Sequence, residues 1–196
     1  MTIRFDGKTA IVTGAGVGLG RCHALGLAAR GANVVVNDLG TAPDGSGQSS
    51  QAALDVVNEI KAMGGRAIAD ATNIANVTHV NAMVARTINE FGGIDILVNN
   101  AGILRDKTFA KMPLHDFERV LDVHLMGTVN CTQAVWTHMR DQEYGRIVFT
   151  SSGSGLYGNF GQSNYGAAKA SVVGLMNVLA QEGARSNIRV NILAPT

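Results

Sequence analysis

Tyr165 and Lys169 stand four residues apart near the start of a run rich in Ala, Val, Leu, Met and Gly that extends over residues 164–183. That composition reads as a buried helix, and on a helix this spacing sets the two side chains on one face, one turn apart. An ammonium beside a phenol favours the ionised phenol, so the pair suits proton transfer to or from an alcohol or carbonyl oxygen. Ser152 follows the apolar run 146–151, which reads as a buried strand, so its hydroxyl emerges where that strand ends. It is the candidate to hold a substrate oxygen beside the phenol. Tyr-x-x-x-Lys alone is a weak signal, because a packed tyrosine and a solvated lysine produce the same pattern.

The pair gains weight from the other end of the chain. Thr13-Gly14-Ala15-Gly16-Val17-Gly18-Leu19-Gly20 lies between an apolar run at 8–13 and a helical pattern at 19–30. Glycines there permit a tight turn and let the backbone approach a pyrophosphate, which rests on the amides and positive end of the helix. The spacing of Gly14, Gly18 and Gly20 departs from the common Gly-x-Gly-x-x-Gly, because Leu19 stands where its third glycine would be. Asp38 ends the next apolar run, 18 residues past Gly20, where a carboxylate can accept hydrogen bonds from an adenine ribose. It would also repel a 2′-phosphate, and Leu39, Gly40 and Thr41 offer no cation to bind one. The expected cofactor is therefore NAD rather than NADP.

Positioning these groups takes a repeated strand-helix pattern. Strands are expected at 8–13, 33–37, 66–69, 94–99, 146–151 and 187–193, with helices at 19–30, 51–63, 77–91, 114–140 and 164–183 between them. Gly127 and its β-branched neighbours weaken the middle of the long helix. A loop rich in Gly, Ser, Asp and Pro at 39–50 lengthens one connection. Right-handed crossovers make this an α/β fold, a Rossmann-type doubly wound parallel sheet of six strands with helices on both faces.

Composition bounds the rest. The 196 residues are 46% hydrophobic and 16% charged, as expected for one soluble globular domain over 1–196. A net charge of +1 without a basic run argues against nucleic acid or an anionic membrane as main partner. No stretch approaches the length of a membrane span and residues 1–6 do not resemble a secretory signal, so a cytoplasmic location is expected. Cys22 and Cys131 are isolated and the five histidines dispersed, which predicts neither a disulfide nor a metal site.

Taken together, these pieces resemble the short-chain dehydrogenase/reductase family: the loop 13–20, Asp70, Asn99-Asn100-Ala101-Gly102, Ser152, Tyr165, Lys169 and residues 191–195. The resemblance implies Tyr165 as acid/base, Lys169 as its activator and a ligand of the nicotinamide ribose, and Ser152 as the group that positions the substrate oxygen. It also implies cofactor contacts from Gly14, Gly16, Val17, Gly18, Leu19, Gly20, Asp38, Asn100, Ala101, Gly102 and Pro195, with Asp70 on the adenine amino group. A narrower resemblance, carried by 36–40 with the long loop after it, 99–106, His124-Leu125, 144–147 and 158–165, is to the branch of (3R)-hydroxyacyl-CoA dehydrogenases found as units of peroxisomal multifunctional enzymes. It implies hydride transfer between NAD and (3R)-3-hydroxyacyl-CoA. Reduction of a 3-oxoacyl carrier-protein thioester or another alcohol is the alternative, and a non-catalytic nucleotide-binding subunit the rival of another class.

His124 stands where most of the family has an asparagine that holds a water of the proton relay, so it is a candidate catalytic residue or a buried histidine satisfied by its neighbours. Arg105, Lys107 and Lys111 are expected to offer cations to coenzyme A phosphates, and Leu156, Tyr157 and Phe160 an apolar wall to an acyl chain. Small residues on the Tyr165 helix, including Ala167, Ala170 and Gly174, suit close contact in a homodimer or homotetramer. Relative to the family, a covering segment and a seventh strand are missing after Pro195, so a domain shortened at its C-terminal end is expected.

Overall fold

The computed structural model describes residues 3–195. Six parallel strands form one sheet: β1 (Thr9–Thr13), β2 (Asn33–Asn37), β3 (Arg66–Asp70), β4 (Ile96–Asn99), β5 (Gly145–Thr150) and β6 (Ile188–Leu193), in the order β3-β2-β1-β4-β5-β6. The central strands read as unbroken apolar runs because both their faces are covered. β1 and β4 are buried along their whole length. Alternate side chains serve opposite layers. Ile11, Val35, Leu97, Ile147 and Phe149 enter one core, whereas Ala10, Val12, Val34, Val36, Ile96 and Val98 enter the other.

Helices α1 (Gly18–Ala28) and α2 (Gln51–Ala62) cover the second core through Ala24, Ala28, Ala53, Val56 and Ile60. The first core is closed by α3 (Val77–Phe91), α4 (Leu114–Leu121), α5 (Gly127–Asp141) and α7 (Ser163–Gly183). The doubly wound expectation holds, and strand bounds differ from it by one or two residues. α6 (Gly153–Tyr157), a single short helix after β5, was not legible in advance.

The expected continuous helix over 114–140 is corrected in its middle. A π turn at Asp122–Met126 separates α4 from α5. Such an insertion widens the helix by one residue, so Val123 and His124, adjacent in sequence, are both buried. The Thr128 hydroxyl donates to the His124 carbonyl at 2.7 Å, which satisfies a backbone group next to the widened turn. Gly127 is small because Ile74 lies against it: a Cβ there would sit 2.6 Å from the Ile74 Cδ1.

Candidate active site

The sheet reverses its winding direction between β1 and β4, and the crevice opens at their carboxyl ends. Thr13 ties the two strand ends together. Its hydroxyl donates to the Val98 carbonyl at 3.3 Å and accepts from the amides of Asn100 and Ala101 at 3.0 and 3.1 Å. The Asn100 side-chain amide donates to the carbonyls of Thr13 and Gly14, each at 3.0 Å. Asn100 therefore shapes the glycine loop from behind.

Two of the glycines are required by close approach. Gly14 has φ +62°, and a Cβ there would lie 2.7 Å from the Ala101 Cα; at Gly20 it would lie 2.0 Å from the Gly14 carbonyl oxygen. α1 starts without a side-chain cap, whereas the Asn76 side chain caps α3 by accepting from the His79 amide at 3.1 Å. The first-turn amides at Gly18, Leu19 and Gly20 thus precede any intrahelical acceptor and remain for an anion. The Asp38 carboxylate accepts from the Gly16 amide and the Gly40 amide, both at 2.7 Å. Each of its oxygens keeps a lone pair for a ligand.

A cleft of about 590 Å³ opens here, lined by Gly14, Val17, Leu19, Asp38, Asn100, Ala101 and Gly102, all expected from the sequence. Arg119 and Val123, one turn apart, together with Pro43, Gly45 and Ile74, also line it and were not foreseen. Their only signal in the sequence is the four-residue spacing of Arg119 and Val123. The glycine cradle, uncapped helix start and carboxylate, set along one cleft, fit the pyrophosphate and adenosine of a dinucleotide. Asp70 is engaged within the fold. It does not line the cleft, and its carboxylate pairs with Arg86 while accepting from the Asn37 side chain at 3.0 Å and the Thr72 amide at 2.8 Å. Burial pushes this carboxyl up, but the Arg86, Thr72 and Asn37 bonds outweigh burial and hold it below the usual carboxylate range. The adjacent Thr72 and Asn73 face the cleft.

Tyr165, Lys169 and His124 gather beyond the Gly102 end of the cleft. The Lys169 Nζ lies 5.5 Å from the centre of the Tyr165 ring and donates to the Thr150 carbonyl at 2.6 Å. Burial brings the Lys169 ammonium down to about 8. Tyr165 meets the His124 ring edge to face, with centroids 5.1 Å apart. His124 is buried, and burial above all, then the neighbouring Lys169 charge, lowers its pKa to about 3. It is therefore neutral. Its Nε2 lies 2.8 Å from the Ile103 carbonyl oxygen and 3.0 Å from the Ile103 amide, while Nδ1 is buried without a partner. Gly102 leaves room for the ring, since a Cβ there would fall 2.2 Å from the His124 Cε1.

Ser152 caps α6 by accepting from the Ser154 amide at 3.2 Å. Gly155 brings α6 directly onto α7: a Cβ there would lie 2.7 Å from the Lys169 Cβ. Ser152 thus stands on the short helix that packs on the Lys169 turn. Pro195 is placed beside the same helix, its carbonyl accepting from the Gly153 amide at 3.4 Å. Asn164, fully buried, donates to the Arg105 carbonyl at 2.9 Å and accepts from the Tyr165 amide at 2.7 Å, fixing the start of α7.

Two of the three cations after β4 are paired within the fold. The Arg105 Nη1 donates to Asp116 at 2.6 Å and its Nε to the Asp44 carbonyl at 2.9 Å, and the Lys107 Nζ lies 3.6 Å from the same Asp116 carboxylate. Arg105 is engaged inside the fold rather than offered to a phosphate. Leu156, Tyr157 and Phe160 are exposed before α7, the last two by 87% and 88%, where an apolar ligand could cover them. No helix among the described residues is long and apolar enough to cross a membrane.

Comparison with known proteins agrees with this geometry. The family profile described as short chain dehydrogenase matches residues 8–196. The chain is 53% identical to the peroxisomal multifunctional enzyme type 2 of Drosophila melanogaster over 99% of its own length and 32% of the enzyme's. It is 46% identical to a 3-oxoacyl-[acyl-carrier-protein] reductase of Synechocystis, covering 96% of this chain and 73% of the reductase. A 7α-hydroxysteroid dehydrogenase solved with NADH and 7-oxo glycochenodeoxycholic acid superposes with a TM-score of 0.90 at 35% identity, over 98% of this chain and 71% of that one. The chain spans between 26% and 44% of the length of the multifunctional enzymes it matches. With cradle, cleft and Tyr-Lys pair in place and the profile matched along nearly its whole length, the chain belongs to the short-chain dehydrogenase family.

Proposed function

We propose that this chain oxidises and reduces (3R)-3-hydroxyacyl-CoA and 3-oxoacyl-CoA thioesters with NAD. The observation that carries the reading is the placement of Tyr165 and Lys169, through the His124 ring, next to Gly102 of a cleft that also carries Asp38. Asp38 would accept from the adenosine ribose hydroxyls, and its charge disfavours a 2′-phosphate. The amides of Gly18 to Gly20 would hold the pyrophosphate, with Lys169 near the nicotinamide ribose. When bound, the nicotinamide ring supplies the hydride acceptor.

The chain's own residues handle the proton. Tyr165 takes it from the substrate hydroxyl in oxidation and returns it in reduction. Ser152 holds the same oxygen by a hydrogen bond, and the Lys169 ammonium supports the ionised phenol from one turn along α7. His124 keeps Tyr165 and the Gly102 segment in register as a neutral ring. Leu156, Tyr157 and Phe160 suit an acyl chain. The thioester preference rests on the likeness to the multifunctional enzymes, because Arg105 is not free to meet a phosphate. The likeness to the cyanobacterial reductase supports a second reading, reduction of a carrier-protein thioester. Exposed Ala167, Ala170 and Gly174 on one face of α7 suit a second copy of the chain.

One experiment tests the proposal: initial rates of NAD and NADP reduction across (3R)- and (3S)-hydroxyacyl-CoA, a hydroxysteroid, a sugar alcohol and a carrier-protein thioester, with Tyr165→Phe in parallel. The expected outcome is fastest turnover with (3R)-hydroxyacyl-CoA and NAD, falling by ~10²-fold or more in Tyr165→Phe. A steroid or sugar alcohol outpacing every thioester would remove the substrate assignment, and no turnover with any of them would favour a non-catalytic nucleotide-binding subunit.

A further inference from the structure

The loop between β2 and α2 is built as a strap. Its ends meet, with the Ser49 amide donating to the Leu39 carbonyl at 3.2 Å and the two backbones touching so closely that a Cβ on Gly40 would lie 1.6 Å from the Ser49 oxygen. Its tip is bonded to itself, from the Ala42 amide to the Ser46 carbonyl at 2.8 Å and from the Gly45 amide to the Ala42 carbonyl at 2.9 Å. A closed neck with a self-packed tip is an Ω-loop, a preformed unit rather than a slack connection. The neck is joined to the cleft through the Gly40 amide, which donates to Asp38 at 2.7 Å.

The tip touches the segment that follows β4. The Leu104 amide donates to the Pro43 carbonyl at 2.8 Å, Gly45 lies on the Ile103 side chain, and the Arg105 Nε donates to the Asp44 carbonyl at 2.9 Å. β2 and β4 flank β1 on opposite sides. A loop leaving β2 that reaches the segment after β4 must therefore pass over the carboxyl end of β1, where the glycine loop begins. Pro43 and Gly45 accordingly form one wall of the cleft and Ile103 another.

We infer that Arg105 is a positioning residue of this cleft: it pins the strap across the end of β1 and so encloses the adenosine half of a bound dinucleotide. The inference rests on the dinucleotide reading proposed above. Arg105 suits the task because its planar fork is set from two sides. Nη1 is held by Asp116, which is buried on α4, and the backbone carbonyl by Asn164, which leaves Nε directed at the strap. Lysine, with a single point of charge, could not hold Asp116 and the Asp44 carbonyl in this way.

A pinned strap slows both entry and exit of the ligand, a behaviour that loss of an ordinary contact does not mimic. The test is stopped-flow fluorescence of NADH binding to the full chain, comparing wild type with Arg105→Met, Gly45→Ala and the double variant. Asp116 keeps the Lys107 ammonium at 3.6 Å when Arg105 is replaced, so its charge is not left without a partner. Gly45→Ala lifts the strap from its own side, because Gly45 has φ +83° and a Cβ would press on Ile103 at 3.2 Å. Each single variant is expected to raise the NADH dissociation rate at least fivefold and to raise the association rate with it. The double variant should release NADH no faster than about twice the faster single, because both changes undo the same contact. Unchanged dissociation in Arg105→Met, or faster dissociation without faster association, overturns the pin while leaving the dinucleotide reading intact. Absence of NADH binding by the wild type removes that reading and the pin with it.

Discussion

Lys169 shows what the candidate site asks of a single residue. Only 5% of its surface is exposed, and burial brings its ammonium down to about 8 from an ordinary value of 10.5. Between those two values the unfolded chain binds a proton that the folded chain has released, so stability rises with pH across that window. Below pH 8 the full penalty for burying the charge is present. Lys169→Met removes the charge at similar length and leaves the Thr150 carbonyl without its donor, a loss worth about 1 kcal/mol. Against a penalty on the order of 3 kcal/mol from the lowered ammonium, the variant should be more stable than wild type at pH 7 by roughly 2 kcal/mol. That advantage should vanish at pH ~10 and reverse above it, while turnover falls ~10²-fold or more at pH 7. Denaturant melts at the two pH values, set beside initial rates, check both parts. A variant that is less stable at pH 7 would mean that the site does not strain the fold at this residue.

At the level of elements, the glycines separate what composition could announce from what only packing reveals. Gly102 is the sharpest case, because the group it would strike is the His124 ring, 2.2 Å from an added Cβ and held in place at Nε2 by Ile103. Gly102→Ala must therefore displace either the π turn or the cleft-lining segment 100–103. An overpacked site of this kind loses about 1–3 kcal/mol of stability, and NADH affinity should fall tenfold or more, read by fluorescence titration. Affinity within twofold of wild type would show that the segment can move without disturbing the cleft. The strands and the first glycine turn were legible because they are local. β1, β2 and β4 are short β-branched runs, and Gly14 to Gly20 sit between a strand and a helix. The π turn at Asp122–Met126 was not, since residues 114–140 keep a helical pattern through it and only the burial of two adjacent side chains marks the insertion. The partners of Asp70 were hidden for a related reason. Its position at the end of β3 is visible in the chain, but its capture by Arg86, on α3, depends on how that helix packs.

Over the whole molecule, the two parts of the candidate site stand on different halves of the sheet, and His124 joins them. Glycine loop and Asp38 belong to β1 and β2, Tyr165 and Lys169 to the helix after β5, and the His124 ring lies between Gly102 on one side and Tyr165 on the other. A residue at that junction affects the stability of the entire fold when it titrates. Burial holds the His124 pKa near 3, against an ordinary 6.5, so the folded chain leaves the ring neutral where the unfolded chain protonates it. The unfolded state then binds more protons, and stability must fall as pH drops below 6.5, by about 1.4 kcal/mol per unit, until pH approaches 3. His124→Asn lacks this linkage. Between pH 7 and pH 4.5 the wild type should lose roughly 2–3 kcal/mol that the variant keeps, measured as the difference between their urea-melt stabilities at the two pH values. The paired carboxylates do not blur the comparison, because Asp70 and Asp116 have lowered pKa values and their stabilisation is retained until the acid falls below the ordinary carboxylate range. Parallel loss in both proteins across this window would show that His124 takes up a proton in the folded state, and that the ring joining the two halves is charged rather than neutral.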